Sequence, residues 1–413
     1  MVATTKIWCD EDNHKLYEHF VDFNDWLDSD DGLDLRGEYK VDGISQPSKA
    51  FYAGDREAYE QAFQGYREER RREFLNELYL CAQFTDEHWF ERNLTRFDQL
   101  IARMEEGAVV PFIGAGLSTA GGFPTWEKHL YQQGRTAGVN QKHIEALLRN
   151  GGHEAIIEEI EKKGRRDVFI QEIRDVFSKI GEITNATLLI TELFRDTVIT
   201  TNYDRLIEQA FDTGEKNTFQ IIPGVNALQK RDVNRISIIK LHGDIKNPTT
   251  CVLSRGQYDD AYGNDKADMT LPIPKALEYY YKNSSLLFLG CSLNNDRTIQ
   301  VFKAIKQKIE NENVLIPQHF TIEQAPESEE ELSDRNADLL KLGITAIWFE
   351  KGKFECVENI LMLARNELRY KGILPFKKNT LKTEGKDTDK VGLILIIERF
   401  LSQIKNKIFT KPH

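Results

Sequence analysis

An apolar run from Ala108 to Ile113 ends abruptly in Gly114-Ala115-Gly116. Its residues do not alternate with polar ones, which is the pattern of a strand buried on both faces. Such a strand belongs in a parallel sheet with helices on either side. The glycines permit a tight turn, close approach of backbone to a ligand, and N–H groups aimed at a phosphate. Ser118 and Thr119 place small hydroxyls where a helix would begin. The third glycine of the dinucleotide fingerprint is absent, and Thr119 holds its position. Alone, the stretch fits a plain strand–turn–helix junction as well as it fits a nucleotide site.

The same pattern recurs downstream. Short apolar runs at Asp196–Thr200, Ile236–Leu241, Leu286–Leu289, Phe320–Ile322 and Ile344–Phe349 read as strands. Helical periodicity fills the intervals, at about Met269–Tyr281, Asp296–Glu310, Glu329–Leu342 and Val357–Tyr370. This alternation predicts an α/β fold, a Rossmann-like parallel sheet with helices on both faces. Four helical stretches, from Glu127 to Ile180, with a fifth at Ala186–Phe194, read as a helical insertion between the first two strands, about residues 127–195.

Three zones follow: a mainly helical N-terminal region (1–97), the sheet domain (98–375), and a linker with a C-terminal helix (376–413). In the first, Asp28–Asp34 reads as a loop. Arg56–Phe84 reads as one or two helices with an apolar face that includes Tyr59, Phe63, Tyr66, Leu78 and Tyr79. The arginine-rich run Arg67–Arg72 reads as a solvated helix face. In the last zone, Phe376–Lys390 is polar and lysine-rich. Val391–Ile408 is an apolar helix too short to span a bilayer, suited to packing on the body or on another subunit.

Composition narrows the function. The 413-residue chain carries a net charge of −11, so direct nucleic-acid binding is not expected. Its five cysteines, Cys9, Cys81, Cys251, Cys291 and Cys356, are scattered and form no Cys-x-x-Cys pair. That disfavours a zinc site and fits reduced thiols in the cytoplasm. No apolar signal core or membrane span is visible.

The polar residues collect at strand ends. Thr200-Thr201-Asn202-Tyr203-Asp204 follows the second strand, Leu241-His242-Gly243-Asp244 follows a third, and Gly290-Cys291-Ser292-Leu293 with Asp296 follows a fourth. Each is ordinary alone: Asn and Asp after a strand are usually turn or cap residues, and a lone His is usually structural. Together they sit where ligands of open parallel sheets bind, beyond the strand carboxyl ends. Tyr258 and Trp126 read as core residues first and as pocket-lining residues second.

The order Gly-Ala-Gly-x-Ser, Thr-x-Asn-x-Asp, Leu-His-Gly, Leu-Gly-x-Ser-Leu resembles the sirtuin-like NAD-consuming domains, over about Asp98 to Tyr370. The resemblance implies NAD+ as substrate and no metal. It implies Gly114, Ala115, Gly116 and Ser118 around the phosphates and ribose, and Thr201, Asn202 and Asp204 by the nicotinamide ribose and carboxamide. Gly290, Ser292 and Asp296 would lie on the adenosine half. His242 would be the catalytic base, with Asn202 orienting water or the carboxamide.

Three departures separate the chain from sirtuin deacylases. Pro124 is followed by Thr125-Trp126-Glu127 rather than Asp-Phe-Arg, Thr201 stands where deacylases have glutamine, and the four-cysteine zinc module is missing. The pattern resembles instead the prokaryotic sirtuin-like NAD hydrolases of anti-phage defence. Among these, Thoeris effectors carry a further nucleotide-sensing domain, for which there is no room after Tyr370. The HerA-associated (Nezha-type) proteins are the nearer match. That implies a homo-oligomer partnered with a hexameric HerA-like ATPase. A deacylase or ADP-ribosyltransferase, and a non-catalytic NAD or ADP-ribose sensor, are the competing classes.

Overall fold

Seven strands form one sheet: β1 (Val109–Ile113), β2 (Thr197–Thr200), β3 (Phe219–Pro223), β4 (Ile236–Lys240), β5 (Ser285–Leu289), β6 (His319–Gln324) and β7 (Ile344–Phe349). Every pairing is parallel and the order is β3-β4-β2-β1-β5-β6-β7. The computed structural model describes residues 11–75, 88–149, 152–163, 166–212, 214, 218–247, 251–264, 266–293, 296–312 and 315–374. These belong to one compact unit that ends at Leu374. The expected linker and C-terminal helix, and Cys9, Leu78, Tyr79 and Cys81, lie outside the described residues.

The apolar runs are explained by burial on both faces. Val110 and Phe112 of β1, Leu286 and Phe288 of β5, and Ile344, Ala346 and Trp348 of β7 belong to one core. Their neighbours Ile113, Leu287, Leu289, Ile347 and Phe349 belong to the other. Helices Pro272–Asn283 and Arg297–Glu312 cover the first face. Helices Asn185–Leu193 and Glu355–Tyr370 cover the second. The fold is thus a Rossmann-like α/β sandwich around a parallel sheet.

Between β1 and β2, after the short helix Ala115–Ser118, come four helices, Trp126–Thr136, Gln141–Arg149, His153–Lys162 and Arg166–Phe177, before Asn185–Leu193 returns the chain to the sheet. Their core, around Leu130, Ile144, Ile156, Phe169 and Phe177, also takes in Tyr203 and Leu206 after β2 and Ile245, Cys251 and Leu253 after β4. The insertion therefore packs on two of the polar strand ends and roofs them.

Three local expectations change. The stretch expected as a loop at Asp28–Asp34 holds the end of the Val21–Asp28 helix, a 3-10 turn (Asp30–Gly32) and the start of a helix (Leu33–Glu38). The Asp28 carboxylate anchors this corner by accepting both the Ser48 amide and hydroxyl at 2.7 Å. Edge strand β3 is a strand that the sequence reading passes over; only one of its five residues is fully buried, so it lacks a long apolar run. The arginine run is not simply solvated: Arg67 makes a bidentate pair with the buried Glu367 at 2.8 and 2.7 Å, and Arg71 reaches the same carboxylate. With the Asp22–Tyr370 hydrogen bond, these contacts seat the aromatic N-terminal cluster of Phe23, Tyr59, Phe63 and Tyr66 on helix Glu355–Tyr370.

Among the described residues, no helix is long and apolar enough to cross a membrane.

Candidate active site

Strand order reverses direction at β1: the chain moves from β1 to β2 on one side and later to β5 on the other. In such sheets the gap beyond β1 and β5 is where a ligand is received. A cleft of about 1440 Å³ opens there. It runs from Trp126, Tyr203, His242 and Tyr258, under the helical insertion, past Gly114–Gly116 and Gly290, to Ser292, Glu323 and Gln324 beyond β5 and β6. Its volume suits an extended dinucleotide more than a compact ligand.

The glycines at the floor hold two loops together. The Gly114 amide donates to the Leu289 carbonyl at 2.9 Å and the Gly116 amide to the Gly290 carbonyl at 2.8 Å. A Cβ on Gly116 would lie 2.8 Å from the Gly290 oxygen. Gly290 itself sits at φ +66°, and a Cβ there would lie 2.2 Å from the Leu117 amide nitrogen. Its conformation and its contact both require glycine. Two of the amides that the Gly-Ala-Gly motif appeared to offer a phosphate are thus already donating within the fold.

Asn202 fastens this floor to β2. Its side-chain amide donates to the Gly114 carbonyl and to the Ser118 hydroxyl, both at 3.1 Å. Its own backbone amide is held by the Thr200 hydroxyl at 3.0 Å. Ser118 lies beneath the cleft wall, almost fully buried, and its hydroxyl also reaches Asp204. Asp204 accepts the Leu206 amide at 3.0 Å, capping helix Leu206–Phe211. Burial pushes the Asp204 carboxyl up, while that amide, Lys240 and Ser118 pull it back. Below it, the buried Lys240 ammonium donates to the Asp204 carbonyl at 2.5 Å and pairs with Glu208 at 2.8 Å. This fully bonded buried ion pair fixes the loop that presents Asn202.

His242 enters from the end of β4. Three tyrosine rings surround it: Tyr258 at 5.3 Å, Tyr262 at 5.8 Å and Tyr203 at 6.3 Å between centroids. Its Nε2 is 2.7 Å from the Tyr262 hydroxyl. Desolvation by these walls pushes the imidazole down to about 4, so the ring is neutral at pH 7 and can accept a proton.

The far end is charged. Arg335 pairs with Glu323 at 2.7 and 3.2 Å and donates to the Ser292 carbonyl at 2.8 Å and the Leu293 carbonyl at 3.4 Å. Burial pushes the Glu323 carboxyl up, against the pull of Arg335. Asp296 accepts the Ile299 amide at 2.9 Å and caps helix Arg297–Glu312. Back toward the aromatic end, Arg297 makes a bidentate pair with Glu154 at 2.8 Å and bonds Asp259 at 2.7 Å. That guanidinium ties the insertion to helix Arg255–Tyr262.

Gly114, Ala115, Gly116, Thr201, Asn202, Asp204, His242, Gly290, Ser292 and Asp296 all line this one cleft; Ser118 supports it from below. Trp126 and Tyr258 fill both roles expected of them: they pack on the core and line the cleft as well. Glu154, Tyr262, Arg297, Glu323 and Arg335 were not foreseen. Two signals were available: Ser254-x-x-Gln257, which forms a capping box and announces the Tyr258–Tyr262 helix, and Glu323 at a strand carboxyl end. Among the described residues, no group of three or more His, Cys, Asp or Glu could hold a metal ion.

Residues 196–347 match the family model described as a SIR2-like domain. The match covers the strands that carry Asn202, His242 and Gly290. The chain is also similar to proteins named NAD(+) hydrolase ThsA. The one from Bacillus cereus (strain MSX-D12) is 29% identical over 210 residues, 51% of this chain and 42% of that relative. The one from Enterococcus faecium is 28% identical over 218 residues, 52% of this chain and 42% of that relative. The one from Cytobacillus dafuensis is 30% identical over 168 residues, 40% of this chain and 32% of that relative. The chain thus spans less than half the length of these relatives.

Proposed function

We propose that this chain is an NAD+ glycohydrolase that cleaves the nicotinamide–ribose bond to give nicotinamide and ADP-ribose. One observation carries the reading: His242 and Asn202, distant in sequence, line one elongated cleft across the β1–β5 gap. The similarity to proteins named NAD(+) hydrolase supports the choice of substrate.

Nicotinamide leaves from a cationic pyridinium and needs no proton from an acid. The C1′–N bond breaks, its electron pair goes to the ring nitrogen, and positive charge develops on the ribose. Water attacks C1′, and its proton passes to neutral His242. Asn202 orients the water or the carboxamide, and the wall formed with Asp204 and Thr201 holds the sugar. The aromatic walls around His242 limit bulk water. The adenosine half extends past Gly114, Ala115, Gly116 and Gly290 to Ser292 and Asp296, with Ser118 bracing the turn.

The same reading assigns the chain to cytoplasmic anti-phage defence by NAD depletion, as a homo-oligomer working with a HerA-like hexameric ATPase. The sequence resemblance supports that assignment, and co-purification with the product of the neighbouring gene tests it. The activity itself is tested by incubating purified chain with NAD+, with and without an acylated peptide. Nicotinamide and ADP-ribose in equal amounts without peptide are the expected products. Turnover only with peptide would favour a deacylase or transferase, and tight binding without turnover by chain and partner together would favour a sensor.

A further inference from the structure

Tyr262 is 1% exposed and does not line the cleft, yet its hydroxyl is the hydrogen-bond partner of His242 Nε2 at 2.7 Å. It closes helix Arg255–Tyr262, which is held at both ends. Ser254 and Gln257 form a capping box at the start. Past the end, Arg297 donates to the Gly263 carbonyl at 2.7 Å and to that of Asn264, while also bonding Asp259 within the helix. Through Glu154 the same guanidinium reaches the roof. Thr298, buried in the first turn of helix Arg297–Glu312, lies beside the Tyr262 phenol. The Tyr258 ring meets the imidazole edge-on, with planes at 74°. The ring of His242 is therefore fixed in place, and one of its two nitrogens is already engaged away from the cleft.

A neutral imidazole carries a single N–H, and the bond made by one nitrogen sets the chemistry of the other. We propose that Tyr262 is a positioning residue that selects the tautomer of His242: Nε2–H donates to the phenol oxygen, the phenol O–H donates to Thr298, and the Nδ1 lone pair takes the proton in NAD+ cleavage. The catalytic part of this assignment rests on the hydrolase reading above; the tautomer does not. In the opposite arrangement the phenol would donate to Nε2, Nδ1 would carry the proton, and the ring would have no free base.

The test separates the two. Protein labelled with 15N-histidine is examined by two-bond 1H–15N correlation at pH 7.5, and the His242 signals are assigned by their loss in His242→Gln. The expected result is a single tautomer protonated at Nε2. In Tyr262→Phe the signals should move toward a mixture of tautomers. The variant's kcat for nicotinamide release should fall about tenfold, with KM for NAD+ within about twofold of wild type. Thr298→Val, which leaves the phenol in place, should lower kcat about threefold in the same direction. Wild-type His242 protonated at Nδ1, or a folded Tyr262→Phe enzyme with unchanged tautomer and kcat, would overturn the proposal. If wild-type protein released no nicotinamide, the hydrolase reading would fail while the tautomer measurement still decided the role of Tyr262.

Discussion

The two ends of the cleft are built from opposite materials. The end beyond β2 and β4 is aromatic: one neutral imidazole stands among Tyr203, Tyr258 and Tyr262, with the Lys240–Glu208 pair sealed beneath the loop. The end beyond β5 and β6 is ionic: Arg335 and Glu323 pair there, and Arg335 also holds the Ser292 and Leu293 carbonyls. Developing positive charge on a sugar and proton transfer to a weak base are favoured by a drier, preorganised wall. Holding a polar, charged dinucleotide tail needs fixed polar groups that solvent can reach. The same topology supplies both because loops at the two sides of β1 are drawn from different strands.

This contrast can be broken at either end. Replacing His242 by Ala should abolish NAD+ loss, by at least about a hundredfold, with the melting temperature little changed; Asn202→Ala should abolish it as well while lowering the melting temperature, because its two buried hydrogen bonds to Gly114 and Ser118 go with it. Full turnover by a folded His242→Ala protein would remove the imidazole from the mechanism. Gly290→Ala strikes the junction between the ends. Its Cβ would meet the Leu117 amide at a positive φ, so stability should fall by about 1–3 kcal/mol, read by denaturant unfolding, with NAD+ affinity lost alongside. Arg335→Ala acts on the ionic end alone, freeing Glu323 and two loop carbonyls. KM should rise about fivefold while kcat stays near wild type, because binding shared by ground and transition states is what is lost.

The smallest effect is a pH dependence that should be nearly absent. The base works when neutral, and a group is neutral above its pKa. An unperturbed histidine near 6.5 would be only about one quarter neutral at pH 6. With His242 pushed down to about 4, single-turnover cleavage should be almost equal at pH 6.0 and 7.5. A fourfold drop at pH 6.0 would mean that the tyrosine walls do not desolvate the ring as described.

Much of this was legible in sequence because buried parallel strands announce themselves: β1, β2, β4, β5 and β7 were located within a residue at each end. Edge strand β3 was not, since half-exposed residues such as Gln220 and a terminal Pro223 blur the apolar pattern. The motif residues were found because strand ends are where such sheets bind ligands. What they do locally was less legible. Gly116 serves loop-to-loop contact, and Ser118 and Asp204 serve hydrogen bonds under the wall. The partners that aim the site, Tyr262 against His242 and Arg297 across Glu154 and Asp259, lie 20 to 143 positions away from the residues they hold. Such pairs leave no periodicity and no motif; only the fold brings them together.

The central claim is the direction in which the dinucleotide lies, with its breaking bond at the aromatic end. A structure of the His242→Ala variant with NAD+ bound reads it directly. The nicotinamide ribose should lie beside Asn202 and Tyr258 and the adenosine beside Ser292 and Glu323. Adenine seated among Tyr203, Tyr258 and Trp126, with nicotinamide at the ionic end, would contradict it.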